Sequence, residues 1–144
     1  MIKREMMPSD FLKVMSPSPR LDDEQKGQDL LKVARVHIAK GPCATIERDG
    51  KILACGGIWI RWKGCAEAWV RFTLPTGPHV AQGVASILRG WIESEGLVRV
   101  DAHTLVDWEQ GRNFLEWMGM HFECVMRKFG PNGEDRALYA WIRE

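Results

Sequence analysis

The sequence has no long apolar run and no apolar signal region at its N-terminus. A helix that spans a membrane needs about 20 consecutive, mostly apolar residues, and no segment approaches that length. The chain begins Met-Ile-Lys-Arg-Glu, which lacks the apolar stretch of a secretory signal. We therefore expect no membrane span, no export and a cytoplasmic location.

An excess of charge of either sign is also lacking. The 20 Lys and Arg residues balance the 19 Asp and Glu residues, which leaves a formal net charge of +1. Proteins that bind nucleic acid usually carry a clear basic excess, because they neutralise backbone phosphates. The charge balance therefore argues against a nucleic-acid partner.

The four cysteines show no Cys-x-x-Cys spacing and no paired histidines. A zinc site is not expected from such a pattern, and we predict no bound metal. Cys43, Cys55 and Cys124 fall in predicted strands, where cysteine behaves as a small apolar residue. Cys65 lies at a predicted turn, where it could be exposed. Reduced thiols are typical of a cytoplasmic protein.

Tyrosine is almost absent: Tyr139 stands alone against seven tryptophans. Tryptophan buries a large area, so most of these rings are expected in the core. Two or three of them could instead line a groove or a partner surface, and the sequence leaves that alternative open.

The chain is organised around a strand, a loop, a helix and a second strand between Glu67 and Thr104. The first seven residues are rich in aromatic and β-branched side chains, which predicts a strand. Two prolines and a glycine then end it. A helix is predicted from His79 by apolar residues at helical spacing, and a strand follows from Val98. The helical apolar residues are Val84, Ile87, Leu88, Trp91 and Ile92.

A helix of this length between two strands favours a parallel pair with a right-handed crossover. Such a unit places the loop Pro75–Gly83 and the start of the helix at the carboxyl end of the first strand. Open α/β sheets often bind ligands there. This end of the predicted unit is therefore the candidate ligand site.

The remaining elements are predicted from turn and capping signals. Asp49-Gly50 is a strong two-residue hairpin turn, and Gly56-Gly57 predicts a bulge or a close backbone approach. Ser9 or Asp10 is the expected N-cap of one helix, and Asp107 that of another. The other predicted elements are a strand over 2–6, helices over 10–15, 22–40 and 108–118, and strands over 43–48, 51–62, 121–128 and 137–143.

The order of these elements resembles the GNAT acetyltransferase superfamily, and so does the helix end at Asn113–Met120. More narrowly, four segments resemble GNAT-like proteins of phages and prophages, including internal virion proteins of short-tailed phages. They are Ala54-Cys-Gly-Gly57, Glu67-Ala-Trp69, the helix end over 114–119, and Phe129-Gly-Pro-Asn-Gly-Glu-Asp-Arg-Ala-Leu-Tyr139.

The resemblance implies one α/β (α+β) domain over residues 1–144. Its sheet would be mixed and mostly antiparallel, with six to seven strands, a central parallel strand pair and helices on both faces. The implied activity is transfer of an acetyl group from acetyl-CoA to an unidentified amine.

The resemblance also implies where acetyl-CoA would bind. Strands four and five would part just past Arg71, and pantetheine would pair with the exposed backbone of strand four. Amides at the start of the following helix would hold the pyrophosphate. The implied cofactor-binding residues are Arg71, Phe72, Thr73, His79, Ala81, Gln82, Gly83 and Val84.

Catalysis needs a base, because a lysine-like amine with a pKa near about 10.4 is mostly protonated at neutral pH. Glu67 is the candidate catalytic base, directly or through water, and His103 and His121 are the alternatives. Leu115 occupies the late-helix position where the family often has a tyrosine acid, while Tyr139 lies in the predicted last strand. A thiolate with a pKa near about 8.5 can leave without an acid.

The phosphate loop departs from the family pattern Arg/Gln-x-x-Gly-x-Gly/Ala. It keeps only Gln82-Gly83, and Pro75 and Pro78 lack an N–H. Two further hypotheses therefore stand beside an active acetyltransferase. One is an inactive phage or prophage protein with a virion-structural or host-interaction role, partnered by a phage or host protein. The other is a module that binds the cofactor without transfer. Free strand edges would also allow a homodimer.

Overall fold

The computed structural model describes residues 1–15, 23–73 and 76–144 of the chain. Within these ranges it contains seven strands and four helices. They are β1 (Ile2–Glu5), α1 (Pro8–Met15), α2 (Asp23–Lys40), β2 (Cys43–Arg48), β3 (Lys51–Trp62), β4 (Cys65–Phe72), α3 (Pro78–Ser94), β5 (Arg99–Leu105), α4 (Glu109–Trp117), β6 (His121–Met126) and β7 (Arg136–Ile142).

The strands form one sheet in the order β1-β2-β3-β4-β5-β7-β6. Only β4 and β5 run parallel, and every other neighbouring pair is antiparallel. The predicted fold class is confirmed: the sheet is mixed and mostly antiparallel, with a parallel pair at its centre. No helix among the described residues is both long and apolar enough to cross a bilayer.

Helices cover both faces of the sheet. On one face, Leu88 of α3 and Leu115 of α4 pack with Ile58 and Val100 of the sheet. On the other, α1 and α2 pack over Cys55. Because side chains alternate along a strand, residues of one parity on β4 face α3 and α4, while those of the other parity face α1 and α2.

The β2–β3 hairpin follows its sequence signals closely. The structure places β2 and β3 over the predicted ranges, with Asp49 and Gly50 between them. Both turn residues have positive φ, 52° and 77°, as a type I′ turn requires. Of the two alternatives predicted for Gly56-Gly57, the structure shows a close approach of neighbouring backbone. It shows no bulge there, since the register shift between β2 and β3 lies between Ile46 and Glu47. A Cβ on Gly56 would lie 2.5 Å from the carbonyl oxygen of Trp69.

Both predicted helix caps are corrected. Asp10 lies inside the first turn of α1, where its carboxylate accepts a hydrogen bond from the Met7 N–H at 2.8 Å. It therefore reaches back to the start of the helix, as in a capping box. α4 has Trp108, not Asp107, at its N-cap position, without a side-chain cap bond.

Asp10 is also a fully buried hub that joins α1 to the sheet. Arg4 of β1 donates to both of its oxygens, at 2.7 and 2.9 Å, and Thr45 of β2 donates at 3.0 Å. Burial alone would raise the pKa of Asp10, but these bonds and that from Met7 lower it below its usual value. The hub fixes α1 over the sheet, which positions the neighbouring Phe11.

Two cysteines lie opposite to expectation. Cys65 is buried and Cys124 is exposed on the edge strand β6. The turn before β4 is covered, since the Gly64 carbonyl at the neighbouring position accepts from Val98 at 2.8 Å. β6 has a neighbour on one side only, and every residue from His121 to Val125 is exposed.

Candidate functional site

The central parallel strands are paired only at their beginnings. β4 and β5 are in register from Cys65–Arg99 to Glu67–Asp101, and the pairing then stops. Beyond this point β4 continues along β3 as far as Phe72, while β5 continues along β7 as far as Leu105. The strands therefore part four residues earlier than the sequence predicted, at Glu67 and not at Arg71.

The parting leaves main-chain groups of β4 unpaired in the sheet plane. The Thr73 N–H donates to the Leu53 carbonyl at 2.9 Å, so Thr73 and, by alternation, Arg71 direct their main-chain groups toward β3. The main-chain groups of Val70 and Phe72 consequently point into the gap. Of the three β4 positions proposed for pantetheine, the register thus offers the Phe72 backbone and adds Val70.

The base of the gap is held by an ion pair whose carboxylate is buried. Asp101 accepts two hydrogen bonds from the Arg61 guanidinium, at 2.7 and 3.0 Å, and one from Arg99 at 3.3 Å. The Asp101 side chain is only 5% exposed. This pair ties β3 to β5 across β4 at the last paired position, so the strands cannot separate further toward their starts.

The segment predicted as a phosphate loop is mostly helix. α3 begins at Pro78 with Gly77 at the N-cap, and the Ala81 N–H already donates to the Gly77 carbonyl at 3.3 Å. Pro78 has no N–H. The free amides at this helix start are therefore those of Gly77, His79 and Val80, within the described part of the chain. Pro75 lies outside the described residues.

The other predicted phosphate-binding residues lie further along α3. Gln82 is exposed, while Val84 packs beside the cluster of Ile46 and Val80. Gly83 is buried, and a Cβ there would lie 3.2 Å from Cδ1 of Ile46. This glycine lets the helix approach the sheet. It is the sixth residue of α3, so its main-chain amide does not lie at the start of the helix. The assignment of Ala81, Gln82, Gly83 and Val84 to a phosphate site stays a prediction.

Glu67 and His103 meet where the strands part. His103 Nε2 lies 3.1 Å from Glu67 Oε1, and both side chains are about a quarter exposed, at 26% and 28%. The hydrogen bond from His103 lowers the pKa of Glu67, against the opposing effect of burial. Phe129, from the β6–β7 connection, packs edge-on against the His103 ring at 5.0 Å. The structure thus brings two candidate bases together, while His121 is exposed on the edge strand.

An aromatic cluster covers the same side of the gap. The His37 ring of α2 stacks on Trp69 of β4 at 4.4 Å, and Trp59 and Phe11 pack against it at 5.3 and 6.0 Å. Burial, and then the nearby Arg71 charge, lower the pKa of His37. Sequence reasoning did not single out His37, because its partners lie on strands distant in the sequence. Trp59 and Trp69 are half-buried, and that some tryptophans line a groove stays a prediction.

An aromatic contact lies on the opposite side of the gap. Phe72 of β4 meets Phe114 of α4 edge-on, with ring centroids 5.3 Å apart. Leu115 is buried in the core. Tyr139 is fully buried as well, and its hydroxyl accepts from Arg112 at 3.0 Å and donates to Glu116 at 3.2 Å. No tyrosine hydroxyl of the described residues therefore faces the gap.

Solved structures with the same fold are N-acetyltransferases. An acetyltransferase of the GNAT family from Streptococcus pneumoniae matches with a TM-score of 0.74 and 12% identity, over 99% of each chain. A variant of spermidine N-acetyltransferase from Vibrio cholerae matches with a TM-score of 0.77 and 12% identity, over 99% of this chain and 95% of its own. A ribosomal-protein alpha-N-acetyltransferase in complex with coenzyme A gives 0.73 and 13%, over 97% and 92%.

No protein-family model and no curated protein sequence matches the chain. At identities this low, the structural likeness establishes the GNAT fold and leaves activity to be argued from the site. The resemblance inferred from sequence is therefore confirmed at the level of the fold. The narrower resemblance to phage proteins stays a prediction.

Proposed function

We propose that residues 1–144 form one GNAT-type domain that transfers an acetyl group from acetyl-CoA to an amine. The observation that carries this proposal is the parting of β4 and β5 after the Glu67–Asp101 pair. Unpaired main-chain groups inside a sheet need partners. An extended chain with alternating amide donors and acceptors, such as pantetheine, supplies them at Phe72 and at the N–H of Val70, a residue whose carbonyl already accepts from Arg71.

The start of α3 is the proposed site for the pyrophosphate of acetyl-CoA. The amides of Gly77, His79 and Val80 are free, and the helix dipole favours an anion there. His79 is exposed and adds a side chain beside the same site. The thioester would then lie in the gap, near the last paired residues of β4 and β5.

The amine acceptor would approach from the side of α1 and α2, where Glu67 and His103 lie. The amine nitrogen attacks the thioester carbonyl carbon, the carbon–sulfur bond breaks, and CoA leaves as a thiolate. The proton lost by the amine passes to the Glu67–His103 pair and from there returns to solvent or to the thiolate. Because the pKa of Glu67 is lowered, Glu67 acts best by holding His103 in place while the imidazole takes the proton.

Binding is tested by calorimetric titration of acetyl-CoA and CoA into a matched pair of variants. Gly77→Pro removes one of the free amides, and Gly77→Ala keeps it; no atom lies within 4 Å of a Cβ at this position. A hydrogen bond to a charged group contributes about 1.5–3 kcal/mol. We therefore expect Gly77→Pro to bind acetyl-CoA about tenfold more weakly than the wild type, or more weakly still, and Gly77→Ala to bind it as the wild type does. No binding by the wild type at millimolar acetyl-CoA would reject the proposal.

Turnover is tested by thiol release with a panel of amines. Glu67→Gln and His103→Gln are expected to lower the rate by roughly 10²–10⁴-fold, the usual contribution of a general base. Affinity for acetyl-CoA should stay unchanged in both variants, because neither side chain contacts the proposed pantetheine route. Undiminished turnover in either variant would remove that residue from its proposed role.

The second candidate is a GNAT-fold protein of phage or prophage origin that has lost turnover and serves in the virion or in contact with a host protein. The Phe72–Phe114 contact favours it, because these rings pack together on one side of the gap. The start of α3 also favours this candidate, because Pro78 removes one of the amides that could bind phosphate. Absence of acetyl-CoA binding in the titration above, with the fold intact by circular dichroism, is the result that this candidate predicts.

A further inference from the structure

Buried polar atoms without a hydrogen-bond partner are concentrated at one place. Among the described residues there are four such side-chain atoms, and they come from α2, β4, β5 and β7. They are His37 Nδ1, Trp69 Nε1, His103 Nδ1 and Arg136 Nε. Buried polar groups in folded proteins are normally paired with protein atoms or ordered water, so several atoms without a protein partner on one face of the gap mark a polar site.

The four residues share the face of the sheet that α1 and α2 cover. His37 stacks on Trp69, and Trp69 belongs to the α1–α2 cluster. His103 contacts Glu67 and pairs with Leu138 of β7. Arg136 lies two residues before Leu138 and therefore projects on the same face. This is the face from which the amine acceptor would approach.

Arg71 and Arg136 stand at the same level on the two sides of the gap. Arg71 is four residues beyond Glu67 on β4, and Leu105 is four residues beyond Asp101, the partner of Glu67. Leu105 pairs with Arg136 of β7. The two arginines thus rise from one face, separated by the gap and the end of β5.

These arginines carry more positive charge than their described surroundings neutralise. Arg136 donates to Glu134 through Nη2 at 3.0 Å, which leaves its Nε free. Arg71 donates only to the Val70 carbonyl, at 3.1 Å, and has no carboxylate partner among the described side chains. Burial, followed by repulsion from Arg136, lowers the pKa of Arg71, although its side chain still reaches solvent. A bound anion would relieve both effects.

We propose that Arg71 and Arg136 bind an anionic group, a carboxylate or a phosphate, on the amine acceptor. That the ligand is the amine acceptor rests on the proposed function, whereas the anion site itself is independent of it. Guanidinium groups are suited to both anions because they donate paired hydrogen bonds. The acceptor is therefore an amine that also carries an acidic group, and polyamines are excluded by charge repulsion.

The strand register sets the spacing between the two groups of the acceptor. Four residues of β-strand separate Glu67 from Arg71, which is about 13 Å between Cα atoms. The Arg71 guanidinium turns back onto Val70, which shortens the distance between anion and amine. An acceptor with several bonds between its amine and its acidic group fits this spacing, whereas an amine directly beside its carboxylate does not.

The anion site is tested without acetyl-CoA, by titrating inorganic phosphate and, separately, succinate at constant ionic strength. The arginine Nε–H resonances in a ¹⁵N spectrum report binding, and that of Arg136 is expected to move. Arg71→Gln should weaken binding about tenfold or more, because it removes a charged donor. Arg48→Gln, an exposed arginine at the end of β2, is the matched control and should bind as the wild type does.

Phosphate binding that is equal in Arg71→Gln and wild type would overturn the proposal. The same applies if acetyl-CoA reverses the phosphate-induced shift of the Arg136 Nε–H resonance, since the arginines would then serve the cofactor. If acetyl-CoA fails to bind while phosphate still binds through Arg71, the proposed function fails and the anion site stands. If turnover occurs, KM for an acidic amine should rise about tenfold in Arg71→Gln with kcat less affected. Equal kcat/KM for acidic amines and polyamines would refute the acceptor class.

Discussion

Replacing Asp10 by asparagine should destabilise the protein in a pH-dependent way. The carboxylate is fully buried and accepts four hydrogen bonds, two of them from the Arg4 guanidinium. Three of the four bonds end on Oδ2, so asparagine with its oxygen there keeps these three and turns its NH₂ group toward the Arg4 Nη2 donor. It therefore loses one bond from Arg4 together with the charge of the ion pair. Hydrogen bonds that involve a charged group contribute about 1.5–3 kcal/mol each.

Part of that loss in stability is offset, because folding of the variant no longer removes a charged carboxylate from water. Arg4 also regains water, since its side chain is already 27% exposed. We therefore expect the free energy of unfolding to fall by about 2–4 kcal/mol at pH 7. In a chain of this size that corresponds to a Tm lower by roughly 7–13 °C.

The pH dependence distinguishes a lost ion pair from a general packing defect. The pKa of Asp10 is lower in the folded protein than in the unfolded chain, where it is about 3.9. Its contribution is complete above about pH 5 and is lost as the pH falls through the folded pKa. The difference between wild type and variant should thus be constant from about pH 7 to pH 5 and shrink below pH 4.

Urea denaturation monitored by circular dichroism at several pH values measures this difference. Asp49→Asn is the matched control, because Asp49 lies in an exposed turn with positive φ that asparagine tolerates. A difference of constant size down to about pH 3, or a loss under about 1 kcal/mol at pH 7, would refute the reasoning.

Three further outcomes follow from single contacts. Gly56→Ala places a Cβ 2.5 Å from a backbone oxygen and should cost about 1–3 kcal/mol by urea denaturation; Gly77→Ala, in open space, should cost little. Tyr139→Phe removes two hydrogen bonds, so we expect the free energy of unfolding to fall by about 1–2 kcal/mol with unchanged turnover; a loss of turnover would instead make Tyr139 a candidate acid. In the native protein Cys124 should react with a thiol reagent well before Cys55, whose pKa burial raises to about 12; mass spectrometry locates the label, and labelling of Cys55 first would contradict the packing.

The fold could be predicted from the sequence because its signals are local. The Asp49-Gly50 turn and the alternation on either side of it set β2 and β3 to the residue. The α3 helix was predicted from His79 and begins one residue earlier, at Pro78. Proline is favoured at the first helical position, so this start could have been inferred from the proline itself. The loop was expected to run from Pro75 to Gly83 because of the topology of the strand–helix–strand unit, whereas the structure has helix from Pro78 onward.

The site was predicted less completely because its contacts are long-range. Alternation indicates that Glu67 and His103 each face one side of a strand, but not that they meet at 3.1 Å. That contact depends on the register between β4 and β5. No turn of defined length joins these strands, because α3 lies between them, so the sequence does not predict their register. His37 was missed for the same reason, since its stacking on Trp69 joins a helix to a strand 32 positions later. Periodicity indicates which side a residue faces, whereas register determines which residues meet.

The gap itself follows from the register of the outer strands. β4 stays paired with β3 up to Phe72, and β5 stays paired with β7 up to Leu105. Each strand thus keeps its outer neighbour and gives up only the inner one, while Asp101 and Arg61 hold the base closed. Because this separation does not depend on the side chains that line it, changes at Glu67 or Arg71 should alter binding and chemistry without closing the gap. That independence is what allows functional tests at this site to be interpreted as chemistry and not as unfolding.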